Sequence, residues 1–526
     1  MTITALENNL IHRVNVGDML TRSADRFPNA LAVADEHRRL TYTDFNHAVN
    51  ILANSLLGLG LSRGDSVALA SKNSIEFLQT YFACAKTGLI CVPINLGWTA
   101  PEVAHVLRDS GARAIIVHEE SEALVAPALP CQSHMTDVIV IGLPSQAYGD
   151  IEPRAFASLI DQQDSTEPEC LVEDRDTLTL LYTSGTTSAP KGVSGHHLAV
   201  YMESMAMAIE GRFRSDDRFA AMLPMSHTAQ LNCHCTTALL LGAAIHIRPG
   251  FDAGALLDLI EAERITQIFG LPMMYGVMLD HPSIDDRDLS SLRRALYAMA
   301  PMPRNLLERC LEVFDCDFYL LFGQTEMSPA TTIFHPEHQL SHHGSVGTPV
   351  VTTRVGIMDL DGGLLPAGEE GEIVYRSPQV MTDYHGDEEA TREAFLHGWF
   401  HSGDNGYFDD DGILWFTDRR KDVIKTGGEN VASLEVEKAL LAAEPGIAEV
   451  AVVGLPHKRW SEAITAFVVP RQGQELDAET IQSRVRDHLD PYKIPKDVIV
   501  VEDLPRTSTG KIRKNLVRDA HLNHFE

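Results

Sequence analysis

Thr179-Leu-Leu-Tyr-Thr-Ser-Gly-Thr-Thr-Ser-Ala-Pro-Lys-Gly-Val193 is the stretch on which the reading of this chain turns. An apolar, β-like run ends at Tyr182; hydroxyls and a glycine follow, and then Pro190-Lys191-Gly192. Such a loop offers backbone N–H groups and side-chain hydroxyls to phosphate oxygens, and the lysine adds positive charge. It is not a GxxxxGK[ST] loop, because counting from Gly185 the sixth position is Pro190 and Gly192 follows the lysine. The competing reading is a Ser/Thr-rich surface turn.

Upstream of the loop, amphipathic helical patterns alternate with short apolar runs. Phe45, Ala48, Ile51, Leu52 and Leu56 fall at three- and four-residue steps, which predicts a helix over Tyr42–Gly58. Asp65–Ala70 and Ala114–Val117 read as buried strands, with a helix over Ser74–Lys86 between them. That succession predicts an α/β fold with a parallel sheet and helices on its faces. Further β-like runs lie at Thr177–Tyr182, Ala243–Ile247 and Gln267–Gly270. Near Val350 the pattern changes to short strands and Gly/Asp turns, such as Asp359-Leu-Asp-Gly-Gly363 and Asp409-Asp-Asp-Gly412. A compact α/β stretch runs from Leu434 to the basic tract Lys511-Ile-Arg-Lys514. The expected division is a large domain over 1–420 and a small one over 421–526.

Of 526 residues, 44% are hydrophobic and 22% charged, which is globular composition and not that of a disordered chain. Forty-three basic against 73 acidic residues leave a formal charge of -30. Such a surface repels nucleic-acid backbones and anionic lipid, although a local site can still take one anionic ligand. The eight cysteines form no CxxC pair, so they read as buried thiols in a reducing cytoplasm. Neither a secretory leader nor a run near the ~20 apolar residues of a membrane span is visible. Gly58-Leu-Gly-Leu-Ser-Arg-Gly64 misses the dinucleotide spacing by one residue and follows a helix, which sets hydride transfer aside.

Several separated motifs then point the same way: Tyr319-Leu-Leu-Phe-Gly-Gln-Thr-Glu326, His401-Ser-Gly-Asp404, Asp418-Arg419, Lys425-Thr-Gly-Gly-Glu-Asn430 and Pro505-Arg-Thr-Ser-Thr-Gly-Lys511. With the first loop, and in this order, they resemble the adenylate-forming superfamily in its acyl-CoA synthetase and aryl-CoA ligase branch. The resemblance spans nearly the whole chain. It implies a large domain of mixed sheets flanked by helices with a β-barrel-like subdomain, and a small mobile α+β domain hinged at Lys421. It also implies an ATP-dependent ligase that makes an acyl-AMP from a carboxylic acid and passes the acyl group to CoA.

The resemblance assigns residues in turn. Thr183, Ser184, Gly185, Thr186, Thr187 and Lys191 would hold the β/γ-phosphates, Thr325 the α-phosphate, and Glu326 Mg²⁺, a hard ion that prefers carboxylate oxygen. Ala300, Pro301, Gly323 and Gln324 would lie along the nucleotide, with Asp404 and Arg419 on the ribose. Lys511 would stabilise charge at the reacting centre during adenylation. Rotation about Lys421 would then bring Gly427 and Gly428 to the pantetheine arm, although a Gly-Gly pair also suits a plain hairpin turn. Trp460, Tyr492 and Lys493 are candidates for the CoA nucleotide, with core packing an equal reading of Tyr492. Arg513 and Lys514 read as solvated tail charges.

Met225-Ser-His227-Thr-Ala-Gln230-Leu231 resembles the segment that gates the acyl pocket, and no aspartate stands ready for a substrate ammonium. His227, Gln230, Leu231, Met299, Phe322 and Met327 would meet an apolar acid: alicyclic, aromatic or of medium chain length. His227 also reads as a satisfied core histidine, or as a metal ligand with His234. Transfer to a separate carrier protein and a relative performing one half-reaction are the alternative functions, and a homodimer is a candidate assembly. Ser194-Gly-His-His197 departs from the Thr-His pair that relatives commonly carry and has no account from sequence.

Overall fold

The computed structural model describes residues 3–130, 132–161, 164–183, 190–300, 302–506 and 512–525. Its chain divides into two compact units, one of Met1–Thr183, Ala189–Val355 and Tyr375–Phe400, the other built on Gly356–Val374 and His401–Glu526.

The first unit holds two large sheets. One has seven strands in the order Arg154–Ala155, Asp137–Ile141, Ala114–His118, Ser66–Ala70, Ile90–Pro93, Thr177–Thr183, Lys191–His196. All neighbours are parallel except the last pair, which is antiparallel. Every residue of Ser66–Ala70 is buried, as expected for a parallel strand covered on both faces. The other sheet has nine strands, and Arg218–Ala221, Gln267–Gly270, Arg294–Ala298 and Asp317–Gly323 run parallel at its centre.

One apolar cluster joins the two sheets. It takes Leu69, Ile116 and Leu178 from the first, Phe219, Ile245 and Tyr319 from the second, and most of the helix Ile75–Thr87 between them. Only Glu76 of that helix escapes burial, which explains a sequence apolar nearly all round. The helix Tyr42–Gly58 occupies the residues its spacing predicts. It begins there because Thr41 and Asp44 exchange side-chain and backbone hydrogen bonds across the first turn.

The second unit carries a four-stranded sheet, in the order Arg354–Met358, Gly371–Arg376, Phe400–Phe408, Leu414–Arg419, where the Gly/Asp turns are. Beyond it Ile447–His457 and Ser461–Pro470 form a long antiparallel pair, joined by Ile424–Thr426, Glu429–Val431 and Asp497–Val500. The helices Ser433–Ala443, Ala478–Arg484 and Lys514–Ala520 belong to this α+β part. Its apolar residues form two separate clusters, one around Val436, Leu440 and Ile481, the other around Leu455, Phe467 and Val517.

Candidate active site

Parallel strands send their following loops out from one edge of a sheet, where open α/β folds bind ligands. Three such loops in the first unit carry predicted residues. His227 follows Arg218–Ala221, Met299 and Ala300 follow Arg294–Ala298, and Gln324, Thr325 and Glu326 follow Asp317–Gly323. Gly323 itself admits no larger residue, because an added Cβ would lie 1.9 Å from the Pro329 carbonyl oxygen.

The opening motif is a hairpin. Thr177–Thr183 pairs with Lys191–His196, and Thr183 faces Lys191 across the ladder, so the intervening loop starts on a hydroxyl and ends on an ammonium. Ser184, Gly185, Thr186 and Thr187 lie outside the described residues, as do Pro301 and Lys511.

A segment not anticipated from sequence, Met381-Thr-Asp-Tyr-His-Gly-Asp387, runs along Lys191–His196. Ser194 N–H donates to the Asp383 carbonyl at 3.0 Å, Thr382 N–H to that of Ser194 at 2.9 Å, and His385 N–H to that of Gly192 at 2.8 Å. It ties the lysine to the acid. The Asp387 carboxylate meets Lys191 Nζ at 3.0 Å, the Tyr384 ring centre lies 5.4 Å below that ammonium, and the Tyr384 hydroxyl donates to Glu326 Oε1 at 2.8 Å. Met381 N–H also donates to the Glu326 carbonyl at 2.7 Å. Burial, and then the Glu326 carboxylate, raise the Tyr384 pKa, so the phenol stays a donor. Nothing in local periodicity marks Tyr384 or Asp387; the one signal is a polar turn sequence beside a tyrosine.

The unexplained Ser194-Gly-His-His197 gains an account here. His196 Nδ1 accepts from Ala199 N–H at 3.0 Å and so caps the helix His197–Glu210, while Nε2 donates to the Val380 carbonyl at 3.1 Å. Ser194 Oγ donates to Asp383 at 2.6 Å.

The acyl candidates differ in what they can touch. Leu231 and Met327 are fully buried, and Gln230 is engaged with Leu223 N–H and His234 Nδ1. His227, Phe322 and Met299 keep exposed surface, Met299 at 43% and with φ of 71°. Asn73 fixes the approach to His227, accepting from Met225 N–H at 2.8 Å and donating to the Leu223 carbonyl at 2.8 Å. Burial lowers the His227 pKa. His234 is packed against Phe213, Phe219 and Phe269, which speaks against a shared metal. No cluster of three metal-binding side chains occurs among the described residues.

In the second unit Asp404 and Arg419 sit opposite each other on paired strands, with Arg419 Nε 3.6 Å from Asp404 Oδ1. Lys421 follows directly; desolvation, and then the Arg419 guanidinium, lower its pKa. Lys425-Thr-Gly-Gly-Glu-Asn430 forms a hairpin, with φ of 64° at Gly427 and 93° at Gly428, a backbone suited to glycine. Gly427 N–H donates to the Trp460 carbonyl at 2.8 Å, and Trp460 lies under Arg459 and Lys496. Tyr492 is 42% exposed, beside a Lys493 ammonium held by Glu435 at 2.8 Å and Asp490 at 3.2 Å. Lys514 is the one clear departure from expectation. It is no solvated tail charge, because its ammonium lies 2.7 Å from the buried Glu437 carboxylate.

The family model for AMP-binding enzymes matches residues 20–385, and that for the AMP-binding enzyme C-terminal domain matches 435–511. This chain belongs to the AMP-binding enzyme family. It is 36% identical to a feruloyl-CoA synthase of an Amycolatopsis species over 503 residues, covering 96% of this chain and 98% of the relative. It is 34% identical over 511 residues to a long-chain-fatty-acid–CoA ligase of Mycobacterium tuberculosis, with 96% and 98% covered. Among solved structures, the o-succinylbenzoate CoA synthetase of Bacillus subtilis, in complex with its acyl-adenylate intermediate, superimposes with a TM-score of 0.83 at 27% identity. That superposition covers 95% of this chain and 98% of the other. The chemistry of the chain is that of an AMP-forming acid–thiol ligase, with ATP and CoA as co-substrates. Among the described residues no helix is long and apolar enough to cross a membrane.

Proposed function

We propose that this chain activates an apolar carboxylic acid as its acyl-AMP and then transfers the acyl group to CoA. In the first half-reaction a carboxylate oxygen attacks the α-phosphorus of ATP and pyrophosphate leaves. In the second the CoA sulfur attacks the acyl carbonyl, the thiol proton is lost and AMP departs. The observation carrying the reading is the linkage of Lys191 to Glu326 through Tyr384 and Asp387, which sets a cation and a hard carboxylate donor within one braced assembly.

On this reading Thr183, Lys191 and the loop between them take the β/γ-phosphates and Thr325 the α-phosphate. Ala300, Pro301, Gly323 and Gln324 lie along the nucleotide, and Asp404 with Arg419 takes the ribose. Glu326 suits Mg²⁺ because its carboxylate supplies the oxygen donors that ion prefers. When bound, the ion neutralises phosphate charge. Lys511 serves adenylation, and Lys421 is the pivot between 1–420 and 421–526. Gly427 and Gly428 accommodate the pantetheine arm, with Trp460, Tyr492 and Lys493 on the CoA nucleotide. The exposed Met299 and the half-buried Phe322 and His227, with no carboxylate or ammonium among them, support an apolar acyl group. The free thiols of the described cysteines support a reducing cytoplasm.

The deciding experiment offers aromatic, alicyclic and medium-chain acids with ATP and either CoA or a carrier protein, and weighs the products. A CoA adduct with release of AMP is expected. Acyl groups found only on the carrier, or acyl-AMP with no thioester, would replace this reading with a carrier-loading or single-half-reaction one.

A further inference from the structure

Glu203 is an ionisable residue at a core position. It stands on the helix His197–Glu210 with Val200, Ala206 and Met207, and like them it is fully buried. Burial raises its pKa well above the usual carboxylate range, against the pull of the Ala330 N–H and the Cys233 thiol. An apolar side chain of similar size would fill the same space without the cost of desolvating a carboxyl group. Its presence there points to a neighbour that uses its oxygen.

That neighbour is Gln379, also fully buried. The Gln379 amide oxygen accepts from the Thr352 hydroxyl and, at 3.4 Å, from that of Thr353, which turns the NH₂ end the other way. There Nε2 donates to Glu203 Oε2 and lies 3.2 Å from the Ala330 carbonyl oxygen and 3.4 Å from that of Met327. The backbone of the same segment repeats the hold. Ser328 Oγ donates to the Gln379 carbonyl at 3.1 Å, and two residues on, Met381 N–H donates to the Glu326 carbonyl at 2.7 Å. The turn that presents Thr325 and Glu326 therefore leans on one glutamine, whose amide is oriented by hydroxyls at one end and by Glu203 at the other. All of these residues lie in the first unit. A buried polar network of this kind is rigid while every member is satisfied and loosens when one acceptor is lost. Small displacements of a group that contacts substrate are felt strongly in binding and rate.

We propose that Glu203 is a positioning residue for the nucleotide turn, fixing the Gln379 amide, which in turn fixes Thr325 and Glu326. The inference rests on the nucleotide reading of that turn given above. Glu203 touches no substrate; it acts through Gln379.

Calorimetric binding of ATP in the presence of Mg²⁺, read beside the melting temperature, tests the role. Glu203→Leu removes the acceptor while filling its space, and Thr352→Val removes one of the hydroxyls that orient the amide from a half-buried position. Each should raise the Kd for ATP severalfold, Thr352→Val without lowering the melting temperature. Glu203→Gln keeps a carbonyl oxygen for Gln379 and should bind ATP as the wild type does. Wild-type affinity in a folded Glu203→Leu, or a Glu203→Gln as weak as Glu203→Leu, would overturn the role; should Glu203→Leu fail to fold, Thr352→Val decides in its place. Thr325→Ala is the control for the parent reading. If it leaves ATP affinity unchanged, the turn does not hold the nucleotide; if it weakens ATP and the Glu203 and Thr352 variants do not, only the positioning role fails.

Discussion

Tyr384 stands between Lys191 and Glu326, with its hydroxyl on the Glu326 carboxylate at 2.8 Å and its ring 5.4 Å from the Lys191 ammonium. A hydrogen bond to a charged group contributes about 1.5–3 kcal/mol, so its loss is felt where that carboxylate works. Tyr384→Phe keeps the ring under the lysine and removes only the donor. The variant should need roughly tenfold more Mg²⁺ for half-maximal pyrophosphate exchange, by the same estimate. An unchanged Mg²⁺ titration would detach Glu326 from the metal role.

Gly323→Ala tests the turn that presents Thr325 and Glu326. The new Cβ would meet backbone, the Pro329 carbonyl oxygen at 1.9 Å, and backbone cannot swing aside as a side chain can. Overpacking of this kind costs about 1–3 kcal/mol or more. A lower melting temperature together with a raised KM for ATP is the expected outcome, and a wild-type KM in a stable variant would show that the turn adapts.

Much of the scaffold was legible because its signals are local. The helix Tyr42–Gly58 showed its apolar steps, and the strand before the phosphate loop showed its β-like run. That the loop is a hairpin was not legible, because a strand's sequence does not name its partner, and Lys191 faces Thr183 only through the ladder. Tyr384 and Asp387 escaped notice for a related reason. Their meaning lies in contacts with Glu326 and Lys191, which are far away in the chain. Lys514 was misread because a terminal basic tract looks solvated until Glu437 is seen beside it.

The acid limb of stability follows from buried histidines. Burial holds His197 and His234 down to about 3, and His196 and His246 down to about 4. In the unfolded chain each titrates near ~6.5. Below that value unfolding takes up protons, so their contribution is intact at neutral pH and is lost as pH falls toward 4. Glu203 and Glu437, pushed up by burial, act in the opposite sense above ~4.5 but are fewer. Between pH 6.5 and 5.5 the net slope should be on the order of 1 kcal/mol per pH unit. Urea midpoints should therefore drop clearly over that interval, and a flat profile would show that these imidazoles gain water or partners on protonation.

Asp404 and Arg419 make a prediction about the nucleotide itself. Asp404 is buried, with the Arg419 guanidinium 3.6 Å away on the paired strand, and a carboxylate beside a guanidinium is the donor-and-acceptor pairing that suits ribose hydroxyls. A site built to bond a hydroxyl discriminates strongly against an analogue that lacks it, because its own polar groups are then left unpaired. The enzyme should therefore prefer ATP over 2′,3′-dideoxy-ATP in kcat/KM for pyrophosphate exchange. Asp404→Ala should lower activity with ATP by about tenfold or more and reduce activity with the dideoxy analogue far less, so that the preference narrows. The ratio matters more than the absolute rate, since misfolding would depress both nucleotides alike. If the preference survives in Asp404→Ala at its original size, the ribose is read elsewhere and the Asp404–Arg419 pair serves only to join its two strands.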